Sequence, residues 1–504
     1  MNILLITSDQ QHFNTIGKFN PEIKTPNLDR LCDDGIYFDR AYTVNPTCTP
    51  TRSTIITGKY PSQHGAWTLG TKLPESVHVI GEDFKAAGYK SALVGKAHFH
   101  PLDSTDEYSS LESQHIMKDL DFWRGFNGPF YGFDHVELAR NHAVEDHVGQ
   151  HYAIWMEEKG LKDWEDYFEP SYTKKHIWDL PEEYNYNTWI AERTNALIED
   201  FAAKDEKFFM WASFFDPHPP YYAPQPWASM YDPSKLTLPG INPGETERNT
   251  EFFKMSQQES PDISPYNPSG FGLHGLHSHL HDQDELRKDL AIYYGMTSLM
   301  DKCIGTILDK VESLGLKDDT LVVFTTDHGH FVGHHGLIAK GPFMFEDLIR
   351  VPFIVRVPGQ KNKGTVSSSM QSLVDLAPTF LSLCGIRQPD GMAGINQSAV
   401  WAGECQGARK WAICEHHHEY MAVNIRTYIE GRYKISLYYG LDSGDLFDLE
   451  NDPGEVNNLW NSPEHQVIRS ELFHRFLLAE MEKEPKSLFS INITNFQCVK
   501  VRIF

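Results

Sequence analysis

The chain has 504 residues, more than the roughly 250–300 over which one hydrophobic core usually grows, so its length predicts two domains. Its 45 Lys and Arg residues against 69 Asp and Glu residues give a net charge of -24, which repels phosphate backbones and anionic lipid. Nucleic acid and membrane surfaces are therefore excluded as expected partners, and a small anionic substrate would need a locally basic pocket.

Short apolar runs recur along the chain, and each has polar residues at its end. They are the segments 2–9, 89–98, 208–218, 320–329 and 351–358. Runs of this length that are apolar on both alternating sets of positions are typical of strands buried on both faces, as in a parallel sheet covered by helices. A helical repeat over about 286–314, with Met300, Ile304 and Ile307 in register, lies between two of them. The pattern predicts an α/β layered domain.

Four of the five runs end in side chains that can bind a ligand or move a proton. They are Asp9 with Gln10, Lys96 with His98, His218, and Asp327 with His328. Each of them alone is as easily explained as a solvated loop residue. Because open α/β sheets bind ligands beyond the carboxyl ends of their strands, the four ends together predict one convergent site.

Two stretches interrupt this pattern and are interpreted as loop insertions, near 100–185 and near 219–285. The second contains four histidines, His274, His277, His279 and His281. Their spacing is compatible with a metal site, but no carboxylate or cysteine pattern accompanies them, so a loop is the preferred interpretation.

The pattern changes after a helical stretch at 372–386. Alternating strands at 411–415 and 433–439, followed by a helical segment near 463–483, predict a small antiparallel sheet with a helix. We therefore expect one domain over 1–400, including both insertions, and a second domain over 401–504 with a C-terminal extension. The extension ends in an alternating apolar strand, which is expected to pair within the sheet or with another subunit, a route to a homo-oligomer.

Cellular location is predicted from the cysteines and the first residues. Seven cysteines without a C-x-x-C pair favour a reducing compartment, and M-N-I-L-L-I-T-S-D lacks the features of a signal peptide. No run approaches the ~20 apolar residues of a membrane span. A cytoplasmic protein is the expectation.

Cys48 lies in a loop rich in Pro and Thr, T-C-T-P-T-R-S-T-I-I-T-G, and has no second cysteine nearby. A buried structural thiol is the commonest role of a lone cysteine, and a cysteine nucleophile would need a histidine partner that spacing cannot show. The segment after it has the composition of a helix start with Ser and Thr for capping, and Arg52 follows four residues later. The positive end of a helix beside a guanidinium is a place for an anion.

The residues Cys48-Thr49-Pro50-Thr51-Arg52 resemble the C-x-P-[ST]-R core of the sulfatases, a family of the alkaline phosphatase superfamily. Further blocks resemble sulfatase segments in sulfatase order: 58–65, 25–31, 95–98, 216–221, 326–329, 335–346 and 445–459. The resemblance covers most of the chain outside the insertions. It implies a large, mixed, mostly parallel sheet sandwiched by helices, and a smaller C-terminal α+β domain built on an antiparallel sheet. It also implies that a formylglycine-generating enzyme converts Cys48 to formylglycine, an aldehyde.

The aldehyde has a chemical rationale. A serine or thiolate that attacked sulfur would leave an ester that water must then cleave, in a second substitution as hard as the first. An aldehyde hydrate carries two hydroxyls on one carbon: one attacks sulfur, and deprotonation of the other expels sulfate and restores the carbonyl.

The resemblance also implies roles for the side chains at the strand ends. Asp9, Gln10, Asp327 and His328 match the metal positions of the family and would bind one divalent ion, Ca²⁺ by their oxygens or Mn²⁺ by the imidazole. Arg52 and Lys96 would hold the hydrate and the sulfate oxygens. His98 is the candidate base, and His218 and Lys340 would protonate or support the leaving alkoxide.

Three functions are compatible with these residues. Hydrolysis of sulfate monoesters, in the manner of an arylsulfatase, is the leading hypothesis. Asp9-Gln10, Asp327-His328 and the stretch 128–138 look more like the phosphonate monoester and phosphodiester hydrolase branch, which is the alternative. A non-catalytic protein that binds sulfated ligands is the third, although such a protein would have no need of His98 or His218.

Overall fold

A computed structural model of the chain describes residues 1–105, 108–140, 147–169, 176–262, 264, 277–417, 423–484, 490–492 and 497–499. Its strands are β1 (Asn2–Ser8), β2 (Ile36–Phe38), β3 (Ala41–Tyr42), β4 (Lys90–Gly95), β5 (His135–Leu138), β6 (Phe208–Ser213), β7 (Thr320–Thr326), β8 (Phe353–Arg356), β9 (Thr365–Ser367), β10 (Gln371–Ser372), β11 (Trp411–His417), β12 (Asn424–Glu430), β13 (Tyr433–Tyr438), β14 (Gly444–Asp448), β15 (Ser490–Asn492) and β16 (Gln497–Val499).

The α-helices are α1 (Pro26–Asp34), α2 (Cys48–Thr57), α3 (Pro61–His64), α4 (Ile80–Ala86), α5 (Gln114–Met117), α6 (Leu120–Gly125), α7 (Gln150–Glu158), α8 (Tyr186–Ala203), α9 (Glu245–Arg248), α10 (Glu251–Ser256), α11 (Gln283–Ser313), α12 (Glu346–Ile349), α13 (Leu376–Leu383), α14 (Ser398–Trp401) and α15 (Gln466–Glu482). Short 3-10 turns occur at Trp164–Tyr167, Glu182–Tyr184, Trp227–Ser229, Pro233–Lys235, Ser278–Leu280, Lys317–Asp319, His334–Gly336, Leu373–Asp375 and Pro463–His465.

The large sheet has eight strands in the order β5-β4-β6-β1-β7-β8-β2-β9. The strands from β5 to β7 run parallel, whereas β8 is antiparallel to both of its neighbours. Every residue of β1, β6 and β7 is buried, as the continuous apolar runs predict. The predicted mixed, mostly parallel sheet is confirmed.

Alternate side chains of the central strands enter two separate cores. Leu4 and Ile6 face a core that includes α8 and α11, while Ile3 and Leu5 face a core that includes α2, α4 and α13. Burial of each such side chain contributes about 1.5–3 kcal/mol to the stability of the fold, so helices pack against both faces of the sheet. The sheet is sandwiched between helices because neither of its faces is polar.

The stretch interpreted as a first loop insertion contains regular structure. Residues 135–138 form β5, which pairs in parallel with β4 and closes one edge of the large sheet. This strand was not predicted because it is only four residues long and its run contains His135 and Glu137. Loop structure alone therefore does not describe 100–185.

The chain after the large sheet forms a second, antiparallel sheet in the order β11-β12-β13-β14. Helix α15 packs on it through Leu472, Phe476 and Ala479. The predicted C-terminal α+β unit is confirmed as architecture, while a domain boundary at residue 400 stays a prediction. Strand β15 pairs with β16 in a two-stranded sheet of its own rather than with the four-stranded sheet. Pairing with another subunit stays a prediction.

Candidate active site

The side chains predicted at the strand ends lie at one edge of the large sheet. Strands β4, β6, β1 and β7 are consecutive neighbours and run parallel, so their carboxyl ends point the same way. Asp9 follows β1, Lys96 follows β4 and Asp327 follows β7, and all three are buried. The amide of Asp9 donates to the carbonyl of Asp216, which links the ends of β1 and β6 at 3.1 Å.

Helix α2 begins at Cys48 and ends at Thr57, and the next residue, Gly58, has the left-handed φ of 64° that glycine adopts readily. Thr47 occupies the capping position, but its side chain bonds Asn45 Oδ1 at 2.6 Å instead of a helix amide. The expected helix start is present, whereas the expected side-chain cap is not. Cys48 therefore sits in the first turn, whose backbone amides carry partial positive charge.

The Cys48 thiol lies at the centre of the buried charges. Its sulfur is 3.2 Å from His328 Nε2, 3.2 Å from Lys340 Nζ and 3.6 Å from Asp9 Oδ1. Lys96 Nζ lies 3.9 Å away. Burial, followed by the charge of Asp9, raises the pKa of the Cys48 thiol. This is the reverse of the environment that prepares a cysteine to attack as a thiolate.

Two of the cations are neutralised by the two carboxylates. Lys96 Nζ donates to Asp9 Oδ2, and Arg52 Nε donates to Asp327 Oδ2 at 2.9 Å. Arg52 Nη2 also lies 3.5 Å from Asp9 Oδ2. Burial opposes ionisation of Asp9, but Lys96 and then Arg52 outweigh it and hold the pKa of Asp9 well below its usual range. Lys340 has no carboxylate partner among the residues that the structure describes.

Four residues present ligand atoms that all lie within 4.8 Å of one another, namely Asp9, Cys48, Asp327 and His328. The His328 ring donates from Nδ1 to the Gly329 carbonyl at 2.9 Å, so its Nε2 lone pair faces this group. Burial lowers the pKa of His328 to about 4, which keeps the imidazole neutral. These donors fit a divalent metal ion.

Gln10 gives an independent reason to place an ion here. Within the described part of the chain, neither Oε1 nor Nε2 of this buried amide has a hydrogen-bond partner. Buried amides rarely lack hydrogen-bond partners, because burial removes their hydrogen bonds to water and an unmade bond leaves that free-energy cost uncompensated. The Gln10 backbone amide donates to Asp327 Oδ1 at 3.1 Å, which holds the residue beside the carboxylate.

His218 and Lys340 form a pair beside the thiol. His218 Nδ1 lies 2.5 Å from the Pro219 carbonyl and must donate to it, so the neutral ring accepts at Nε2. Lys340 Nζ lies 3.3 Å from that Nε2 and is the donor. Burial and then the charge of Lys340 lower the pKa of His218 well below its usual range. In this arrangement Lys340 holds the transferable proton.

His98 is turned toward other partners. Its backbone amide donates to Glu112 Oε1 at 2.7 Å, and Arg140 Nη2 donates to its Nε2 at 2.8 Å. Because a guanidinium only donates, Nε2 of His98 is an acceptor here, and a base role for that nitrogen requires the Arg140 contact to open. The role of His98 as the base stays a prediction.

Backbone geometry at the strand ends brings these side chains together. Gln10 and His98 lie two and three residues after the ends of β1 and β4 and have left-handed φ values of 57° and 55°, where a side chain raises the energy of the backbone. Gly95 precedes Lys96 with φ 107°, and a Cβ there would lie 1.9 Å from the Ser213 carbonyl oxygen. Only glycine allows β4 and β6 to approach this closely before the chain turns into the site.

The sequence did not predict several residues that hold the site together. Ser213 Oγ accepts from Arg52 Nη1 at 2.7 Å, and its position at the end of β6 was a usable signal. Arg140 and Glu112 position His98 from within the first predicted insertion, where no periodic pattern marks them. Their contacts depend on chain folding that local sequence does not encode.

Comparison with known families agrees with this geometry. The family model described as Sulfatase matches residues 1–386, which contain every predicted site residue. The chain belongs to the Sulfatase family. A second model, described as the C-terminal part of N-sulphoglucosamine sulphohydrolase, matches residues 333–483 and spans the antiparallel sheet. The predicted family is confirmed, and with it the expectation that this family member is an enzyme of the sulfuric ester hydrolase class.

Several curated proteins are similar to this family member over nearly their whole length. "Uncharacterized sulfatase YidJ" of Escherichia coli is 28% identical over 96% of this chain and 87% of its own. "Multifunctional alkaline phosphatase superfamily protein PehA" of Trinickia caryophylli is 26% identical over 97% of this chain and 96% of its own. "Arylsulfatase" of Clostridium perfringens is 25% identical over 95% of this chain and 94% of its own.

Solved structures share the fold. The phosphonate monoester hydrolase SpPMH of Silicibacter pomeroyi superposes with a TM-score of 0.79 over 99% of both chains, at 23% identity. This likeness confirms the predicted alkaline phosphatase-like architecture and, at that identity, establishes the fold alone. Among the described helices, none combines the length and the apolar content needed to cross a bilayer.

Proposed function

We propose that this chain hydrolyses sulfate monoesters and that residue 48 acts as formylglycine made from cysteine by a formylglycine-generating enzyme. The observation that carries the proposal is the position of Cys48 Sγ, in the first turn of α2 and within 3.9 Å of Asp9, Lys96, His328 and Lys340. When present, formylglycine supplies a hydrate whose one hydroxyl attacks sulfur and whose other hydroxyl later releases sulfate.

The balance of charge around residue 48 suits an anionic ester. Arg52, Lys96 and Lys340 carry three positive charges, and Asp9 and Asp327 carry two negative ones, which leaves one positive charge (3 − 2 = 1). This locally basic pocket lies in a chain whose net charge is -24. Fixed cations in a buried site stabilise charge that develops on the sulfate oxygens without reorganisation of solvent.

Lys340 is assigned the role of supporting the oxygen of the leaving group. Departure of an alcohol requires a proton or a positive charge at the oxygen as the S–O bond breaks. His218 accepts at Nε2, so it cannot supply that proton, whereas Lys340 can donate and lies 3.2 Å from the sulfur of Cys48. In the proposed mechanism His218 orients the Lys340 ammonium, and Lys340 supports the departing alkoxide.

Asp9, Gln10, Asp327 and His328 would hold the divalent ion, which supplies Lewis-acid stabilisation of negative charge when bound. Ca²⁺ is the first choice by the oxygen donors and Mn²⁺ the alternative by the His328 imidazole. The test is recovery of activity after chelation, with each ion added separately. The cytoplasmic location remains part of the proposal and rests on the cysteine pattern.

Cleavage of phosphonate monoesters or phosphodiesters is the second candidate function. It is favoured by Gln10 and His328 at the proposed metal site, which resemble the phosphonate monoester and phosphodiester hydrolase branch, and by the similarity to the PehA protein, whose name records that it is multifunctional. Measurement of kcat/KM on an aryl sulfate and on the matching aryl phosphonate separates the two. A higher value on the sulfate supports the leading proposal, and a higher value on the phosphonate replaces it.

The decisive experiment is mass analysis of the peptide that contains residue 48, from protein made in its native host. An aldehyde or its hydrate at this position, together with sulfatase activity that Cys48→Ala abolishes, is the expected result. Cys405→Ala is the matched control, because Cys405 is an exposed free cysteine. A residue that is only ever a thiol, in protein that binds but does not cleave aryl sulfates, would identify the chain as a non-catalytic binder.

A further inference from the structure

A second group of potential metal ligands lies outside the active site, around the carboxylate of Asp347. His12 Nε2 is 2.9 Å and His334 Nδ1 is 3.2 Å from the same carboxylate oxygen, Oδ1. The two imidazole rings stack with an interplanar angle of 13° and a centroid distance of 5.1 Å. His12 and Asp347 are buried, whereas the His334 side chain is 38% exposed and leaves an approach from solvent.

We propose that His12, His334 and Asp347 bind a divalent transition-metal ion of the Zn²⁺ type, separate from the ion at Cys48. Ligand atoms of these three residues all lie within 4.8 Å of one another. Zinc bonds of about 2.0–2.1 Å in a tetrahedron separate the ligand atoms by about 3.3–3.4 Å. The two separations from Asp347 Oδ1, 2.9 Å to His12 Nε2 and 3.2 Å to His334 Nδ1, are within a few tenths of an ångström of this value.

The donor set selects the class of ion. Two imidazoles with one carboxylate suit zinc and its neighbours in the first transition series, while Ca²⁺ and Mg²⁺ prefer a shell made of oxygen. Three protein ligands leave one position of a tetrahedron for water, on the exposed side of His334.

The other oxygen of Asp347 is held by a supporting pair. His335 Nε2 lies 3.1 Å from Asp347 Oδ2, and His335 Nδ1 bonds Glu245 Oε1. The His335 ring stacks on Phe345 at a centroid distance of 3.7 Å, which fixes its orientation. Carboxylates that bind metals are commonly oriented by such outer hydrogen bonds. Asp347 Oδ1 is therefore presented to His12 and His334 in a fixed direction.

One hydrogen bond opposes metal binding. The Asn14 amide donates to His12 Nδ1 at 3.1 Å, and a metal at Nε2 moves the ring proton to Nδ1, where it repels that amide. Asn14 is exposed, so water can replace the lost contact. Loss of one such hydrogen bond lowers affinity by about tenfold. Structural zinc sites in proteins bind the ion so tightly that a tenfold loss of affinity is small by comparison. This hydrogen bond therefore does not prevent binding.

An ion at this position would fix the segment that leads out of β1. The His12 amide donates to the Tyr293 hydroxyl at 2.8 Å, and that hydroxyl donates to the Gln10 carbonyl at 2.9 Å. His12 lies two residues beyond Gln10, whereas Asp347 and His334 come from the segment after β7. The second ion would clamp together the two strand ends that carry the proposed ligands of the first.

The test counts bound zinc. Full-length protein is stripped with a chelator, equilibrated with Zn²⁺ and gel-filtered, and its metal content is measured by mass spectrometry. His334→Ala is expected to hold one equivalent fewer than the wild type, with zinc affinity at this site at least about 100-fold weaker, since loss of an outer partner alone typically costs 10–100-fold. His78→Ala is the matched control, because His78 has the same 38% exposure and two carboxylate partners.

Equal zinc content in wild type and His334→Ala, or an equal loss in His78→Ala, overturns the proposal. Circular dichroism melting verifies that both variants fold, as the exposure of His334 leads us to expect. The same count in a Cys48→Ala background separates this proposal from the proposed function, because it requires no catalytic turnover. Co²⁺ substitution gives a second measurement: visible bands of a tetrahedral site that His334→Ala removes support the proposal, and their absence from the wild type contradicts it.

Discussion

Replacement of Lys340 by Met removes the one ammonium near Cys48 that has no carboxylate partner in the described part of the chain. The methionine keeps most of the length of the side chain, so the packing of this 5% exposed residue changes little. Loss of one buried donor to a developing oxyanion typically costs about 2.7–4 kcal/mol, or 10²–10³ in rate. Lys96 cannot compensate, because its ammonium is already bound to Asp9.

The size of this loss depends on the leaving group. A nitrophenolate departs without help, so we expect Lys340→Met to lower kcat/KM for its sulfate ester by no more than about tenfold. An alkyl or unactivated phenyl sulfate needs the proton or the positive charge of Lys340, so for these esters we expect Lys340→Met to lower kcat/KM by the full factor of about 10²–10³. The assay is kcat/KM for a series of sulfate esters, plotted against the pKa of the released alcohol, with a steeper slope in the variant.

Lys235→Met is the control, because Lys235 is 81% exposed and the same side-chain change occurs there away from the site. A uniform loss in Lys340→Met across the series, with an unchanged slope, would refute the reasoning. Lys340 would then act in binding the sulfate group, and the leaving oxygen would be supported by another residue.

Three further predictions concern the stability of the fold. Arg52→Ala leaves the buried carboxylate of Asp327 without its ion-pair partner and removes one of the two cations beside Asp9, and the free energy of unfolding measured with urea is expected to fall by about 3–5 kcal/mol. Gly95→Ala drives a Cβ into the Ser213 carbonyl, and it should cost about 1–3 kcal/mol more in the same assay than Gly88→Ala, which has a similar positive φ and open space. Burial opposes ionisation of Glu137, but hydrogen bonds from His135 and Arg193 lower its pKa from 4.5 to about 2. Stability from this carboxylate is therefore full above pH 4.5 and lost as the pH falls through 2, so the stability gap between wild type and Glu137→Gln should close over that window.

Each of these predictions has a defined contrary outcome. Arg30→Ala, at a partly exposed ion pair, should change stability by less than about 1 kcal/mol, and an equal loss in both arginine variants would contradict the buried-charge argument. Equal costs in the two glycine variants would show that φ alone, and not the close approach of β4 to β6, requires glycine at position 95. A stability gap for Glu137→Gln that stays constant with pH would show that this carboxylate is not held ionised.

The sequence by itself determined the family and the layered fold, and it predicted the chemistry that we propose at residue 48. Apolar runs on both alternating faces require burial from two sides, which dictates helices above and below the sheet. The strand ends at Asp9, Lys96 and Asp327 were predictable for the same reason, since parallel strands bring their carboxyl ends to one edge. The ordered motifs around Cys48 then identified the family before any contact was known.

The tertiary structure decided how the charges are paired and which atoms can move a proton. His218 and Lys340 are 122 residues apart, and only their contact shows that the lysine donates and the histidine accepts. Arg140 donates to His98, and Asp347 contacts three histidines from two segments of the chain. No local sequence pattern predicts either set of contacts. Pairing and tautomer depend on which groups meet after folding, because each hydrogen bond is fixed by its partner and not by the residue alone.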